Sequence, residues 1–257
     1  MMHPSRIKQK IASGETALAT TVHFAEPTIH EMVSSMGFDG IWMDLEHHRH
    51  SVERAADMMR AIRAGGTTDI IARPAKGEFM RMGRLLEIGA HGIMYPRCDD
   101  AAEAAEVVRW AKFAPLGQRG CDAAGADGDY MSRTLPEYIR RANENTFIII
   151  QLEDPAAVDH AEAIASVDGV DMLMLGPGDM SVLIGEPGRM DHPVIVESRR
   201  RIADAATAAG KHWATTSPHI EFTRQMADQG AALVFQGSDF TLLRQAMADL
   251  KADFSRR

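Results

Sequence analysis

Short apolar runs, each followed by an amphipathic stretch, recur along almost the whole chain, and that alternation restricts the fold more than any single motif. The runs are Ala17–Val22, Gly40–Met43, Asp69–Ala72, Gly92–Tyr95, Phe147–Leu152, Val170–Leu175, His212–Thr215 and Ala231–Phe235. Runs that stay apolar without alternating mark strands covered on both faces, and amphipathic stretches between them predict a parallel sheet. Eight such units favour closure into a (β/α)8 barrel over an open sheet. The 257 residues suit a single domain spanning 1–257, since such barrels usually need about 250.

Helix starts are written into the connections. Thr28 with Glu31 and Asp100 with Glu103 have capping-box spacing, while Asp154–Pro155 and Ser217–Pro218 pair a capping residue with proline at the first helical position. One connection breaks the rhythm. Between Tyr95 and Phe147 the spacing predicts a helix over Ala101–Phe113, then the Gly/Ala/Asp-rich stretch APLGQRGCDAAGADGDYMS, then a helix near Pro136–Asn143. That middle stretch cannot be a core element and reads as either a mobile surface excursion or a wall of an active site or subunit interface, with Arg119 placed where its guanidinium could reach an anion. The polar tail ADFSRR is expected to fray.

Charge and cysteine usage exclude several function classes. With 28 basic against 36 acidic residues the chain lacks the basic stripe that nucleic acid requires. No run of 18 apolar residues suggests a membrane span, and the N-terminal MMHPSRIKQKIASGE has no apolar middle of a secretory signal, so a cytoplasmic location is expected. Cys98 and Cys121 are too few for a disulfide framework and read as reduced thiols.

Chemistry-bearing residues gather where the apolar runs stop, at the strand ends where barrels carry their sites. Glu153 ends TFIIIQLED and Asp179 lies in the turn of VDMLMLGPGDMS. Two carboxylates on neighbouring strand ends supply hard oxygen ligands suited to Mg2+, Mn2+ or Co2+. The second strand leads into MDLEHHRH, where His47 is a candidate proton-transfer group and Asp44 a carboxylate that could fix its tautomer; His48 and His50 are equally consistent with loop hydrogen bonding. Arg73 ends the third strand, and its fork suits a carboxylate or enolate. Gly178 allows close backbone approach beside Asp179, and Ser181 could bind carboxylate oxygens. The late Gly237–Asp239 reads as a phosphate cradle, a carboxylate site or a helix cap, and Glu87 as an ordinary solvated helix residue. Lys76, Lys112 and Lys211 do not sit inside an apolar strand that would lower an amine pKa, which disfavours Schiff-base chemistry.

GFDGIWMDLEHH, ARP, LLEIGAHGIMYP, APLGQRG, IIIQLED, VDGVDMLMLGPGDMS and GSD, in this order, resemble the HpcH/HpaI aldolase family over Gly14 to Leu250. The resemblance implies a (β/α)8 barrel, often with its last helix exchanged between two subunits, and three such dimers in a homohexamer. It implies a divalent metal held by Glu153 and Asp179, Arg73 on the 2-oxo acid, His47 with Asp44 as the proton-transfer pair, and Glu87 assisting, also across a subunit boundary. The implied reaction is retro-aldol cleavage of a 4-hydroxy-2-oxo acid to pyruvate and an aldehyde. Oxaloacetate decarboxylation, another metal-enolate lyase activity and a noncatalytic ketoacid-binding barrel remain alternatives. The chain departs from the family at CDAAGADGDYMSR, where Cys121, Asp122, Asp127 and Asp129 replace a less acidic stretch.

Overall fold

The structure, a computed structural model, describes residues 3–255. Its strands are β1 Ala17–Thr21, β2 Gly40–Asp44, β3 Asp69–Arg73, β4 Gly92–Tyr95, β5 Phe147–Leu152, β6 Met172–Leu175, β7 His212–Ser217 and β8 Leu233–Ser238. They pair in sequence order, all parallel, and β8 closes on β1. The helices are α1 Arg6–Ala12, α2 Pro27–Ser35, α3 Val52–Gly65, α4 Phe79–Glu87, α5 Ala101–Ala111, α6 Leu135–Asn145, α7 Pro155–Val158, α8 Ala161–Ala165, α9 Pro177–Leu183, α10 Pro193–Ala208, α11 Ile220–Asp228 and α12 Asp239–Ser255. This is a closed (β/α)8 barrel.

Period-two strand geometry sorts the side chains into two cores. Ala17, Ala19, Ile71, Phe147, Ile149, Met172, Met174 and Phe235 fill the barrel interior, and Ile7 of α1 plugs its N-terminal end. Ile70, Ala72, Ile148, Ile150, Leu173 and Leu175 point outward against the helices. The same parity continues upward. On β5 the inward series Phe147 and Ile149 leads on to Gln151 and then Glu153, and on β3 Ile71 leads to Arg73.

Several local expectations change. Helix α2 starts from Glu26, whose carboxylate accepts the Thr28 N–H, so Thr28 lies inside the first turn rather than at the cap. Helix α11 is capped by His219, which accepts from Phe222 N, and not by Ser217 before Pro218; β7 runs through Ser217 instead. Asp100 caps α5 by accepting the Glu103 N–H, and Asp154 caps α7 by accepting the Ala156 N–H, both as the spacing predicts. Strand β6 begins at Met172 rather than Val170, and β8 runs from Leu233 through Ser238 rather than from Ala231 to Phe235. The tail does not fray through its whole length, since α12 continues to Ser255; Arg256 and Arg257 lie outside the described residues.

The Gly/Ala/Asp-rich segment is folded on itself. Arg119 is buried over the Phe113 ring, 4.6 Å from its centroid, and donates to Asp127 at 2.6 Å, while Tyr138 OH donates to the same carboxylate. The anion that Arg119 reaches is therefore Asp127 of its own chain. Asp129, Tyr130 and Met131 all adopt left-handed backbone, with φ of 50°, 55° and 62°, and hold Tyr130 and Met131 out to solvent.

Candidate active site at the C-terminal rim

Register builds the first half of the site. Asp44 and Arg73 are direct partners in the β2–β3 ladder, both at inward parity, so their side chains meet above the interior core. The Arg73 guanidinium donates to both Asp44 oxygens, Nε to Oδ1 at 2.9 Å and Nη2 to Oδ2 at 2.7 Å, and lies 4.5 Å from the centre of the Trp42 ring. Burial alone would raise the Asp44 carboxyl, but Arg73 and the N–H groups of Glu46 and His47 outweigh it and hold Asp44 below its ordinary value. Gln151 completes the fork at 3.4 Å from Nη1. It is the polar residue of FIIIQL, at the parity that faces inward, and that mismatch was the available sequence signal.

The histidines divide differently from the expected pairing. The His47 imidazole is half exposed, with Nε2 3.6 Å from Glu46, while His48 Nε2 lies 3.8 Å from Asp44. Asp44 approaches His47 through the His47 backbone N–H, and its carboxylate is committed to Arg73. Glu46 Oε2 is buried without a hydrogen-bond donor, 3.4 Å from Arg73 Nε, and burial raises its carboxyl against the opposing pull of Arg73.

The second half stands on β5 and β6. Glu153 is 3% exposed, accepts the backbone N–H of Arg97, and leaves Oε2 with no partner. Burial, then the nearby Asp179 carboxylate, push Glu153 up to about 7. Gly176 makes room for it: a Cβ there would stand 2.0 Å from Glu153 Oε1. Arg97 itself has φ of 52°, an uncommon conformation for a residue with a side chain. Glu153 and Asp179 line one cavity of about 250 Å3 with Lys76, Arg97, Cys98 and Asp99.

The remaining candidates are placed less directly. Ser181 Oγ donates to Gly178 O at 2.6 Å and accepts from Gly188 N, so it braces the turn that carries Gly178 and Asp179. A Cβ at Gly178 would meet nothing within 4 Å, so the backbone there is open to approach. Glu87 ends α4 shortly before β4 begins, at the opposite end of the barrel, where its carbonyl accepts from Ala126; burial raises its carboxyl, with Arg119 opposing. Lys112 is also away from the rim, donating to the carbonyls of Asn143 and Thr146 before β5 starts, and burial lowers its amine to about 8.

A further group of potential ligands occupies that N-terminal end. Among the described residues, His3, Asp69 and His91 bring one ligand atom each within 4.8 Å of one another, a potential divalent-ion site. Its chemistry differs from that of the rim. Asp69 already accepts from Ser5 Oγ, Arg6 N and Ile7 N, and His91 Nδ1 accepts from Ile70 N, which puts the proton of a neutral ring on Nε2, the atom that faces Asp69. Binding an ion through His91 Nε2 would require that proton to leave. Among the described residues, no helix is long and apolar enough to cross a membrane.

Comparison with known proteins agrees with the barrel fold. The family model described as HpcH/HpaI aldolase/citrate lyase matches residues 22–246. A hydroxypyruvate/pyruvate aldolase from Delftia acidovorans is 34% identical over 223 residues, 87% of this chain and 82% of that protein. A 5-keto-4-deoxy-D-glucarate aldolase from Klebsiella pneumoniae is 28% identical and covers 98% of both chains. The crystal structure of an HpcH/HpaI aldolase from Desulfitobacterium hafniense superposes with a TM-score of 0.91 at 25% identity, over 97% of this chain and 96% of that one. With the family model matching most of its length, this chain belongs to the HpcH/HpaI aldolase/citrate lyase family.

Proposed function

We propose that the protein is a divalent-metal-dependent carbon–carbon lyase that reversibly cleaves a 4-hydroxy-2-oxo acid to pyruvate and an aldehyde. The observation that carries this reading is the Glu153–Asp179 pair. A buried carboxylate oxygen without a donor, beside a second carboxylate, is a charge arrangement that a hard cation completes. The all-oxygen donor set favours Mg2+, Mn2+ or Co2+. When bound there, the cation supplies Lewis acidity toward the ketoacid half of the substrate.

The chain's own residues do the rest. Arg73, locked by Asp44 and Gln151, presents a guanidinium edge to negative charge as it develops on the 2-oxo oxygen, a stabilisation greatest in the transition state. His47, with Glu46 3.6 Å away, takes the proton of the 4-hydroxyl. The C3–C4 electron pair then becomes the enolate and the aldehyde departs; protonation at C3 gives pyruvate. The open backbone at Gly178 receives the substrate carboxylate, and Ser181 holds that turn in place. Glu87 acts across a subunit boundary, consistent with its distance from the rim of its own chain.

We read residues 1–257 as one domain of a cytoplasmic homohexamer, a trimer of dimers in which α12 is exchanged. The support is α12 itself, which has no buried residue and exposes Leu242, Met247, Leu250 and Phe254.

The test is coupled pyruvate release from a panel of short 4-hydroxy-2-oxo acids, with each cation and again after chelation. Cation-dependent cleavage that disappears in His47→Ala and Glu153→Ala is expected. Turnover that survives chelation overturns the metal reading. Release of carbon dioxide from oxaloacetate without aldol cleavage would favour the decarboxylase, and ketoacid binding without any turnover a noncatalytic barrel.

A further inference from the structure

Retro-aldol cleavage moves protons at two different atoms, off the 4-hydroxyl oxygen and onto C3. His47 accounts for one of them. The structure contains a second imidazole held as proton-transfer groups are held, and it lies outside the residues described above.

His23 stands two residues beyond β1, continuing the inward series Ala17, Ala19 and Thr21. Its Nδ1 lies 3.0 Å from Asp239 Oδ1, at the end of β8. Asp239 also accepts backbone N–H groups from His23, Phe24 and Phe240; burial raises its carboxyl, but the His23 ring and then these backbone bonds outweigh it and hold the carboxyl below its ordinary value. The Asp239 oxygens therefore act as acceptors, the His23 Nδ1 must donate, and Nε2 is left with the exchangeable lone pair. The ring is 21% exposed. On its other side His23 packs against His48 at 4.5 Å, and His48 approaches Asp44 of the Arg73 fork. The dyad is thus connected to the end of the mouth where Arg73 would hold the ketoacid half, the half that contains C3.

We infer that His23, oriented by Asp239, is the group that exchanges a proton with C3, leaving His47 to serve the 4-hydroxyl; this rests on the aldolase reading above. In the cleavage direction the hydroxyl proton passes to His47 and the C3–C4 pair becomes the enolate. His23 Nε2 takes a proton from solvent and delivers it to C3 while His47 releases its own to solvent, so protons balance over the turnover and Nε2 ends with its lone pair. A purely structural clasp would not need an imidazole, because Asp239 keeps the Phe24 and Phe240 N–H groups without it.

The experiment follows exchange of the pyruvate methyl hydrogens in deuterated water by proton NMR, with saturating divalent cation, beside aldehyde release from a cleavable substrate. His23→Gln is expected to lower methyl exchange by about 100-fold, and Asp239→Asn by about 10-fold, while His47→Ala keeps exchange and loses cleavage. Added imidazole should restore exchange to His23→Gly, which a structural role would not produce. Exchange in His23→Gln within about threefold of the wild type overturns the inference, as does loss of exchange in His23→Gly that imidazole does not repair. A wild type that cleaves normally while His23 variants exchange normally sinks the dyad alone. A wild type that neither cleaves nor exchanges sinks the aldolase reading, and the role of His23 with it.

Discussion

The two ends of the barrel both bury carboxylates, and burial raises Asp69 at one end to about 6 and Glu153 at the other to about 7, but what surrounds them differs. At the N-terminal end Asp69 accepts three hydrogen bonds that pin the start of α1, and Asp39 accepts the Leu18 N–H and pairs with Arg6 and Lys10. At the C-terminal end Glu153 keeps a buried oxygen with no donor, whereas Asp39 Oδ1, also without a hydrogen bond, has the Arg6 guanidinium at 2.7 Å. A buried carboxylate surrounded by donors contributes to folding, whereas one left short is costly unless something from outside completes it. The contrast assigns stability to one end and chemistry to the other.

The sharpest way to break that contrast is to alter the rim and look for a cost in folding. Glu153→Ala should lower turnover by about 1000-fold or more, with a melting temperature no lower than that of the chelated wild type. Next in size is a pH effect. Glu153 is raised from an ordinary 4.5 to about 7, so the folded chain binds more protons than the unfolded one between those values, and stability falls as pH rises through that window. In chelated protein this amounts to on the order of 3 kcal/mol, and Glu153→Gln should flatten the melting-temperature profile between about pH 6 and 8, above the Asp69 carboxyl that burial raises to about 6. At the other end, Asp69→Ala should cost about 2 to 3 kcal/mol by denaturant unfolding while kcat/KM stays close to wild type. The smallest effect is expected at the exposed Arg140–Glu144 pair, where Arg140→Ala should change stability by less than about 0.5 kcal/mol. A larger loss of activity from Asp69→Ala than from Glu153→Ala would invert the assignment.

The barrel was legible because its strands are continuously apolar, and continuity survives without knowledge of partners. The rim carboxylates were legible for the same reason: Glu153 and Asp179 appear where apolarity stops. Pairings across strands were not. Asp44 could be given to His47 by proximity along the chain, but the β2–β3 register sets it opposite Arg73, and a guanidinium fork takes both oxygens. Likewise the acidic residues after Arg119 stood out only as a departure from the family, and their partners lie in the folded segment: Asp127 accepts from Arg119 and Tyr138, and Asp129 pairs with Arg133. The cap at Thr28 failed because the helix starts two residues earlier, where Glu26, before the proline, accepts the Thr28 N–H. His23 gave no local signal, since its carboxylate lies 216 residues away across the closure of the barrel.

Helix α12 ends the chain with its apolar side chains uncovered, and this makes concentration a structural variable. If that face is covered only by another copy, each tenfold dilution removes about 1.4 kcal/mol from every dimer formed, so a thermal midpoint should drift downward as the sample is thinned. Stability measured at one concentration would then describe the population as much as the molecule.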